Sequence, residues 1–289
     1  MSDSDSLHRF LFEDIGVRGE LVQLDASWQA VLARHEYPDA VRRQLGQALA
    51  AASLLSATIK FQGSLILQAQ GSGPLTTLVA QATHQRSLRG LARWQGEVPT
   101  GDLRTTFGDG RLVLTIQNQG ADPYQGIVAL DGANLADALR GYFEQSEQLR
   151  TRLWLCADGE RAVGLLLQEL PASSREADDW ERVALLAETV TERELLQLPA
   201  ETLLYRLFNE EKVRLFPPEG VTFRCGCSRE RIETVLRSLG RDEVESLLAE
   251  QGHVLVDCEF CNRHYRFDAV DVERLLRDDA PAAVSPTRH

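Results

Sequence analysis

Residues 223–229 read FRCGCSR, and residues 257–261 read DCEFC. The chain has five cysteines, and four of them, Cys225, Cys227, Cys258 and Cys261, lie in these two short stretches. The segment between the pairs carries Ile232, Val235, Leu236 and Leu239, then Val244, Leu247 and Leu248. That spacing predicts two short helices broken near Gly240-Arg241. Folding them would bring the two pairs together, and four thiolates in a tetrahedron make a closed, structural zinc site. A module this small seldom holds itself together by apolar burial alone and commonly needs such a staple. Zinc at a site of this type supplies on the order of 10–16 kcal/mol of folding free energy.

Two other readings of the same sulfurs remain open at this point. The first is a dithiol oxidoreductase using Cys258-Glu259-Phe260-Cys261, which would set its first thiol at a helix N-terminus after a strand. It leaves Cys225 and Cys227 unexplained. The second is a switch, because metal-bound thiolate is also the form of sulfur that oxidants attack. Gly226 reads as the spacer that lets two sulfurs sit one residue apart. His264 follows Cys261 closely enough to compete as a ligand, but with four cysteines present, surface or supporting roles suit His253 and His264 better.

Working outward, the bulk composition excludes several classes. Apolar residues make up 43% and charged residues 26%, as in a globular protein with a real core. The net charge is −12, and the cysteine-bearing segment carries more acids than bases. A nucleic-acid partner is therefore not expected. No apolar run is long enough to span a membrane. The start MSDSDSLHRF lacks the basic and apolar regions of a secretory signal. The expected location is the cytoplasm, where clustered cysteines bind metal or react rather than form permanent disulfides. The only methionine is Met1, which suits a core that must survive oxidants, although drift in composition explains it as well.

The fold expected is α+β. A strand-rich N-terminal α/β domain (residues 1–171) precedes a helical linker (172–220). A small zinc-binding domain (221–278) and a disordered tail (279–289) follow. The first domain should hold a helix over Asp39–Thr58, with Leu45, Ala48, Ala52 and Leu55 on one stripe and Asp39 as its N-cap. Strands are expected at SLILQAQ, Leu75–Thr83, Ser87–Trp94, Arg111–Asn118 and Gln125–Leu130, then a helix from Asn134. RTRLWLCADG and RAVGLLLQEL should be strands, the second central because it is nearly all apolar. Cys156 reads as a small core residue. Pro171-Ala172-Ser173-Ser174 and Pro217-Pro218-Glu219-Gly220 read as boundaries. Between them, helices are expected over Asp179–Gln197 and Ala200–Lys212. Trp180, Leu186, Leu203, Leu204 and Phe208 need a cover, since helices this short are marginal alone in water. Paired acids such as Asp178-Asp179 and Glu210-Glu211 read as solvated helix faces. No nucleophile elbow, zinc-protease motif or nucleotide-binding loop is present, so no enzymatic role is expected.

The spacing C-x-C, about thirty residues, C-x-x-C resembles the thirty-three-kilodalton heat shock proteins, the redox-regulated 33-kDa chaperonins. FRCGCSRER, CEFCNRHYRF, YQGIVAL, YFEQSEQL (142–149) and LLYRLFNEE (203–211) resemble the same family, and only the tail falls outside the likeness. Arg150 stands where the family has proline. The resemblance implies a stress-response chaperone that is an inactive monomer when reduced, with one Zn(2+) per chain on the four cysteines. It implies that oxidation pairs Cys258 with Cys261 first and Cys225 with Cys227 afterwards. Zinc leaves, the switch domain and linker unfold, and the protein dimerises. The exposed apolar surface then holds unfolding clients without ATP, and these pass later to an ATP-driven foldase. Without the resemblance, a redox-insensitive zinc ribbon with a fixed partner is the competing reading.

Overall fold

The protein is described here by a computed structural model covering residues 5–171 and 178–277. These form two compact units, divided between Arg224 and Cys225. The expected tail lies outside the described residues, as does most of the boundary at Pro171–Ser174.

The first unit begins with a hairpin that the sequence pattern did not reveal, β1 (Asp5–Phe12) and β2 (Val17–Leu24). Its residues do not alternate cleanly between polar and apolar because both faces are covered. On β2, Val22 and Leu24 enter one core while Val17 and Leu21 enter another. After α1 (Ala26–Leu32) comes α2 (Asp39–Thr58), with the bounds expected. Its N-cap is Pro38, in extended backbone, and not Asp39. Asp39 is instead the first helical residue, where its charge opposes the helix dipole, and it pairs with Arg42. The single expected stripe understates α2. Leu49, Ala50, Ala51 and Leu54 are buried along with Leu45, Ala48, Ala52 and Leu55. The helix is covered almost all round because it lies between two sheets.

One sheet runs in the order β10-β1-β2-β9-β8, with β11 also paired to β1. Here β8 is Thr151–Ala157, β9 Ala162–Glu169, β10 Val213–Leu215 and β11 Glu219–Gly220. The other runs β12-β5-β4-β3-β6-β7. It is built from β3 (Gly63–Gly71), β4 (Leu75–Thr83), β5 (Ser87–Trp94), β6 (Gly110–Asn118), β7 (Tyr124–Ala129) and β12 (Thr222–Phe223). Pairing is antiparallel except between β12 and β5. Strand β9 has neighbours on both sides, as its apolar run predicted. Leu166 faces α2, while Val163, Leu165 and Leu167 face outward into a second core.

That second core lies under the linker. The expected helix over Asp179–Gln197 is two helices, α5 (Asp179–Glu188) and α6 (Glu192–Gln197). The break comes at Thr189–Thr191, where Thr191 and Glu194 form a capping box that starts a new helix. The third linker helix, α7 (Ala200–Phe208), ends short of the expected Lys212. The linker is not a separate body. It packs within the first unit: its last residues add β10 and β11 to one sheet, and β12, just beyond Gly220, joins the other.

Two family-like motifs meet in this unit. After the short α3 (Leu103–Phe107), helix α4 (Leu135–Tyr142) runs into one turn of π-helix at Phe143–Glu147. This turn lets Glu147 accept a 2.6 Å hydrogen bond from the buried Tyr142 hydroxyl. Gly126 on β7 leaves room for the Tyr142 ring, since a Cβ there would lie 2.4 Å from it.

The second unit contains α8 (Arg229–Leu239), α9 (Arg241–Gln251), a hairpin of β13 (Val254–Asp257) and β14 (His264–Phe267), and α10 (Ala269–Arg277). Its core is small: Leu236, Val244, Val254, Tyr265, Phe267, Val272, Leu275 and Leu276. Arg229 binds three elements together. It lies 4.2 Å over the Phe267 ring, pairs with Asp271 at 2.7 Å and donates to the Arg266 carbonyl.

Candidate metal centre

The four cysteines come together as their spacing predicted. All four sulfurs lie within 4.8 Å of one another. Cys225 Sγ is 3.6 Å from Cys258 Sγ, and Cys227 Sγ is 3.3 Å from Cys261 Sγ. These are non-bonded contacts, and no disulfide joins the four half-buried sulfurs. A tetrahedral ion with metal–sulfur bonds of about 2.3 Å needs sulfurs roughly 3.8 Å apart. The spacing fits such an ion. Each sulfur neighbours the others, so distance selects no disulfide pairing.

Local backbone builds the cluster. After β13, the Cys261 and Asn262 N–H groups both donate to the Cys258 carbonyl, at 3.2 and 2.7 Å. Asn262 takes a left-handed conformation, which returns the chain into β14. Cys258 therefore opens a tight turn, with no helix after it. The dithiol-oxidoreductase reading needed that helix. On the other side, Ser228 caps α8 immediately after Cys227. Gly226 is not needed for its backbone freedom, because its φ is not positive. Its carbonyl accepts from Arg231, and an added Cβ would meet only that guanidinium.

The sulfurs differ electrostatically. Burial opposes ionisation of Cys227, but hydrogen bonds from Tyr265 and the neighbouring thiols outweigh it and hold this thiol below its ordinary range. Burial, followed by the neighbouring sulfurs, pushes Cys261 up. Burial also raises Cys258, against backbone N–H groups of Phe260 and Cys261 that favour its thiolate. Packed thiols resist becoming four thiolates unless a cation joins them, so the donor set suits a soft dication. His264 is not among the clustered ligands. It pairs at 2.5 Å with Asp257 on the exposed side of the hairpin.

The linker residues singled out from sequence also share one environment. Trp180, Leu203, Leu204 and Phe208 are buried against the outward face of the β1–β2–β9 sheet, and Leu186 is half-buried beside them. Phe208 packs edge-on to Phe12 at 5.0 Å between ring centres and lies 6.1 Å from Phe10. Cys156 lies in the same core, as expected of a small apolar residue, and burial pushes its thiol up to about 12. The polar ties around this core are mostly at the surface. Arg182 reaches Glu211 and Asp179, each at 2.8 Å, Arg206 pairs with Glu194, and Gln23 donates to the Leu198 carbonyl. Asp179 and Glu211, expected to be solvated, therefore clamp the ends of α5 and α7. Arg150 lies 3.7 Å from both Glu169 and Glu181.

A family model described as Hsp33 protein matches residues 5–268. The 33 kDa chaperonin of Nitrosococcus oceani is 67% identical over 289 residues, with all of both chains covered. Its counterpart in Azotobacter vinelandii is 50% identical over 297 aligned residues, again with both chains fully covered. The crystal structure of a 33 kDa chaperonin (heat shock protein 33 homolog) from Thermotoga maritima has the same fold. Its TM-score is 0.84 at 24% identity, over 95% of this chain and 98% of that one.

Proposed function

The chain belongs to the Hsp33 family and is a redox-regulated chaperone that binds unfolded proteins; from that premise we propose that its four-cysteine cluster is a zinc-held lock on the linker. Cys225, Cys227, Cys258 and Cys261 would hold one zinc ion, which when bound balances the thiolate charge and stabilises the second unit. Oxidation joins Cys258 to Cys261 and Cys225 to Cys227, following the resemblance, and leaves no thiolate ligand. The second unit has only a small apolar core to fall back on.

The observation that carries this reading is the linker's apolar stripe lying on a sheet face that is itself apolar. When the lock opens, Trp180, Leu186, Leu203, Leu204 and Phe208 separate from Phe10, Phe12, Leu165 and Leu167, and both surfaces become available to clients. The connection along the chain is short, because β12 ends at Phe223 and only Arg224 precedes the first cysteine. Each large apolar side chain contributes roughly 1.5–3 kcal/mol by burial. Loss of about 10 kcal/mol from the second unit is enough to undo a few of them. The same reading makes the reduced form a monomer and the oxidised form a dimer. It makes the protein a cytoplasmic holdase that needs no ATP, has no catalytic step and hands its clients to an ATP-driven foldase.

The test follows zinc release by hypochlorite or peroxide alongside aggregation of a heated client. Suppression should rise in step with zinc release and reverse on reduction. Equal suppression by the reduced, zinc-loaded form would rule out the lock.

A further inference from the structure

The four sulfurs are not supported in the same way. Cys258 accepts from the backbone N–H groups of Phe260 and Cys261, and Cys261 from that of Arg263. These donors belong to the turn itself and survive any side-chain change. Cys227 instead accepts a 3.2 Å hydrogen bond from the phenolic hydroxyl of Tyr265. Tyr265 is 8% exposed and sits in the core of the second unit. The hairpin register sets its position: it faces Val256 across β13, and alternation sends it inward beside Phe267 while His264 and Arg266 point out. Arg263, just after the turn, hydrogen-bonds the Tyr265 side chain in its turn. A cation thus polarises a hydroxyl, and the hydroxyl holds one sulfur.

We propose that Tyr265 is a positioning residue for the redox response: through its hydroxyl, with Arg263 behind it, it holds Cys227 as a metal ligand and restrains its attack on oxidants. The inference rests on the metal-lock reading above and adds to it which sulfur is guarded and by what. A hydrogen bond to a thiolate draws on the lone pair that would otherwise attack. In the reaction with peroxide, a thiolate attacks one oxygen, the O–O bond breaks and hydroxide leaves, so the sulfur becomes a sulfenic acid. A second thiolate attacks that sulfur, expels hydroxide and forms the disulfide. Two thiolates have then lost two electrons and, with two protons, peroxide has become two waters. The restraint on Cys227 acts at the first of these steps.

The test compares the full-length, zinc-loaded parent with Tyr265→Phe, which keeps the ring in the core and removes only the hydroxyl. Supporting partners of metal ligands are commonly worth 10–100-fold in affinity, so Tyr265→Phe should bind zinc about tenfold more weakly against a competing chelator. Its peroxide-driven zinc release should be faster, and differential alkylation should find Cys227 oxidised earlier than in the parent. Arg263→Gln should shift each quantity the same way by less. With cobalt in place of zinc, the thiolate-to-metal charge-transfer band of Tyr265→Phe should move to longer wavelength, a change that loss of packing alone would not cause. Zinc affinity, release rate and cobalt band all unchanged in a folded Tyr265→Phe would overturn the role of Tyr265 while leaving the lock intact. A parent that binds no zinc would overturn both.

Discussion

The β1–β2–β9 sheet has two faces, both buried, and they are covered in different ways. Against the inner face lies α2, one helix of 20 residues packed between two sheets. Against the outer face lie α5, α6 and α7, of 10, 6 and 9 residues, each with one side in solvent. Removing α2 would open the whole unit. Removing the linker helices would uncover one face and leave the sheets paired. Equal burial in the resting state therefore does not mean equal permanence. What sets permanence is whether a second layer holds the cover down.

Removing the metal should have the largest effect on this contrast. Chelating zinc from the reduced protein forfeits on the order of 10 kcal/mol or more. Proteolysis should then begin in the second unit and at the junctions between α5, α6 and α7, while residues 39–58 stay intact. Simultaneous cleavage within α2 would erase the distinction between the two covers.

Single truncations should separate the faces next. Leu54→Ala, beneath the inner cover, should cost about 2–5 kcal/mol in the main urea transition. Phe208→Ala, under the outer cover, should cost about 3–5 kcal/mol, chiefly in linker docking. It should suppress client aggregation in the reduced state, which Leu54→Ala should not do while folded.

The inner face also holds an unpaired carboxyl. Glu20 shares that face with Val22 and Leu24, and its Oε2 has no hydrogen-bond partner among the described residues. Burial raises its pKa to about 7, against the opposing charges of Arg18, Arg9 and Arg86. The folded state thus holds this proton through a range where the unfolded chain, at the ordinary carboxylate value, has lost it. The contribution is fully present below about pH 4.5 and declines as pH rises through 7, by about 3 kcal/mol in all. Glu20→Gln should remove this share of the pH dependence and stabilise the protein at pH 8, as read from urea melts. An unchanged slope would show that Glu20 does not titrate in this range.

The smallest effect is expected at a surface tie. Arg150→Ala removes exposed pairs to Glu169 and Glu181 and should loosen α5 by only about 0.2–1 kcal/mol. Local amide exchange in α5 should detect it. A larger loss would mean that charge, and not apolar contact, holds the outer cover.

Legibility followed the same division. Helix α2, strands β4 and β5 and the paired helices α8 and α9 were readable because their own spacing determines them. The hairpin β1–β2 was not, since a strand buried on both faces loses its period-two signature. Strands β10, β11 and β12 are two or three residues long and exist only because neighbouring strands are present to pair with. The break at Thr189–Thr191 could have been found from the T-x-x-E at Thr191–Glu194. The sulfur cluster was plain from spacing alone. Tyr265 carries no such signal, because its contact with Cys227 depends on the turn at Asn262 and the hairpin register.

Amide hydrogen exchange on the full chain, before and after peroxide treatment with a zinc chelator present, tests the central claim most directly. Amides of α5, α6 and α7 should lose protection on oxidation and regain it on reduction with zinc, while those of α2 keep theirs throughout. Linker helices that stay protected in the oxidised, zinc-free protein, or an α2 that opens with them, would contradict the account.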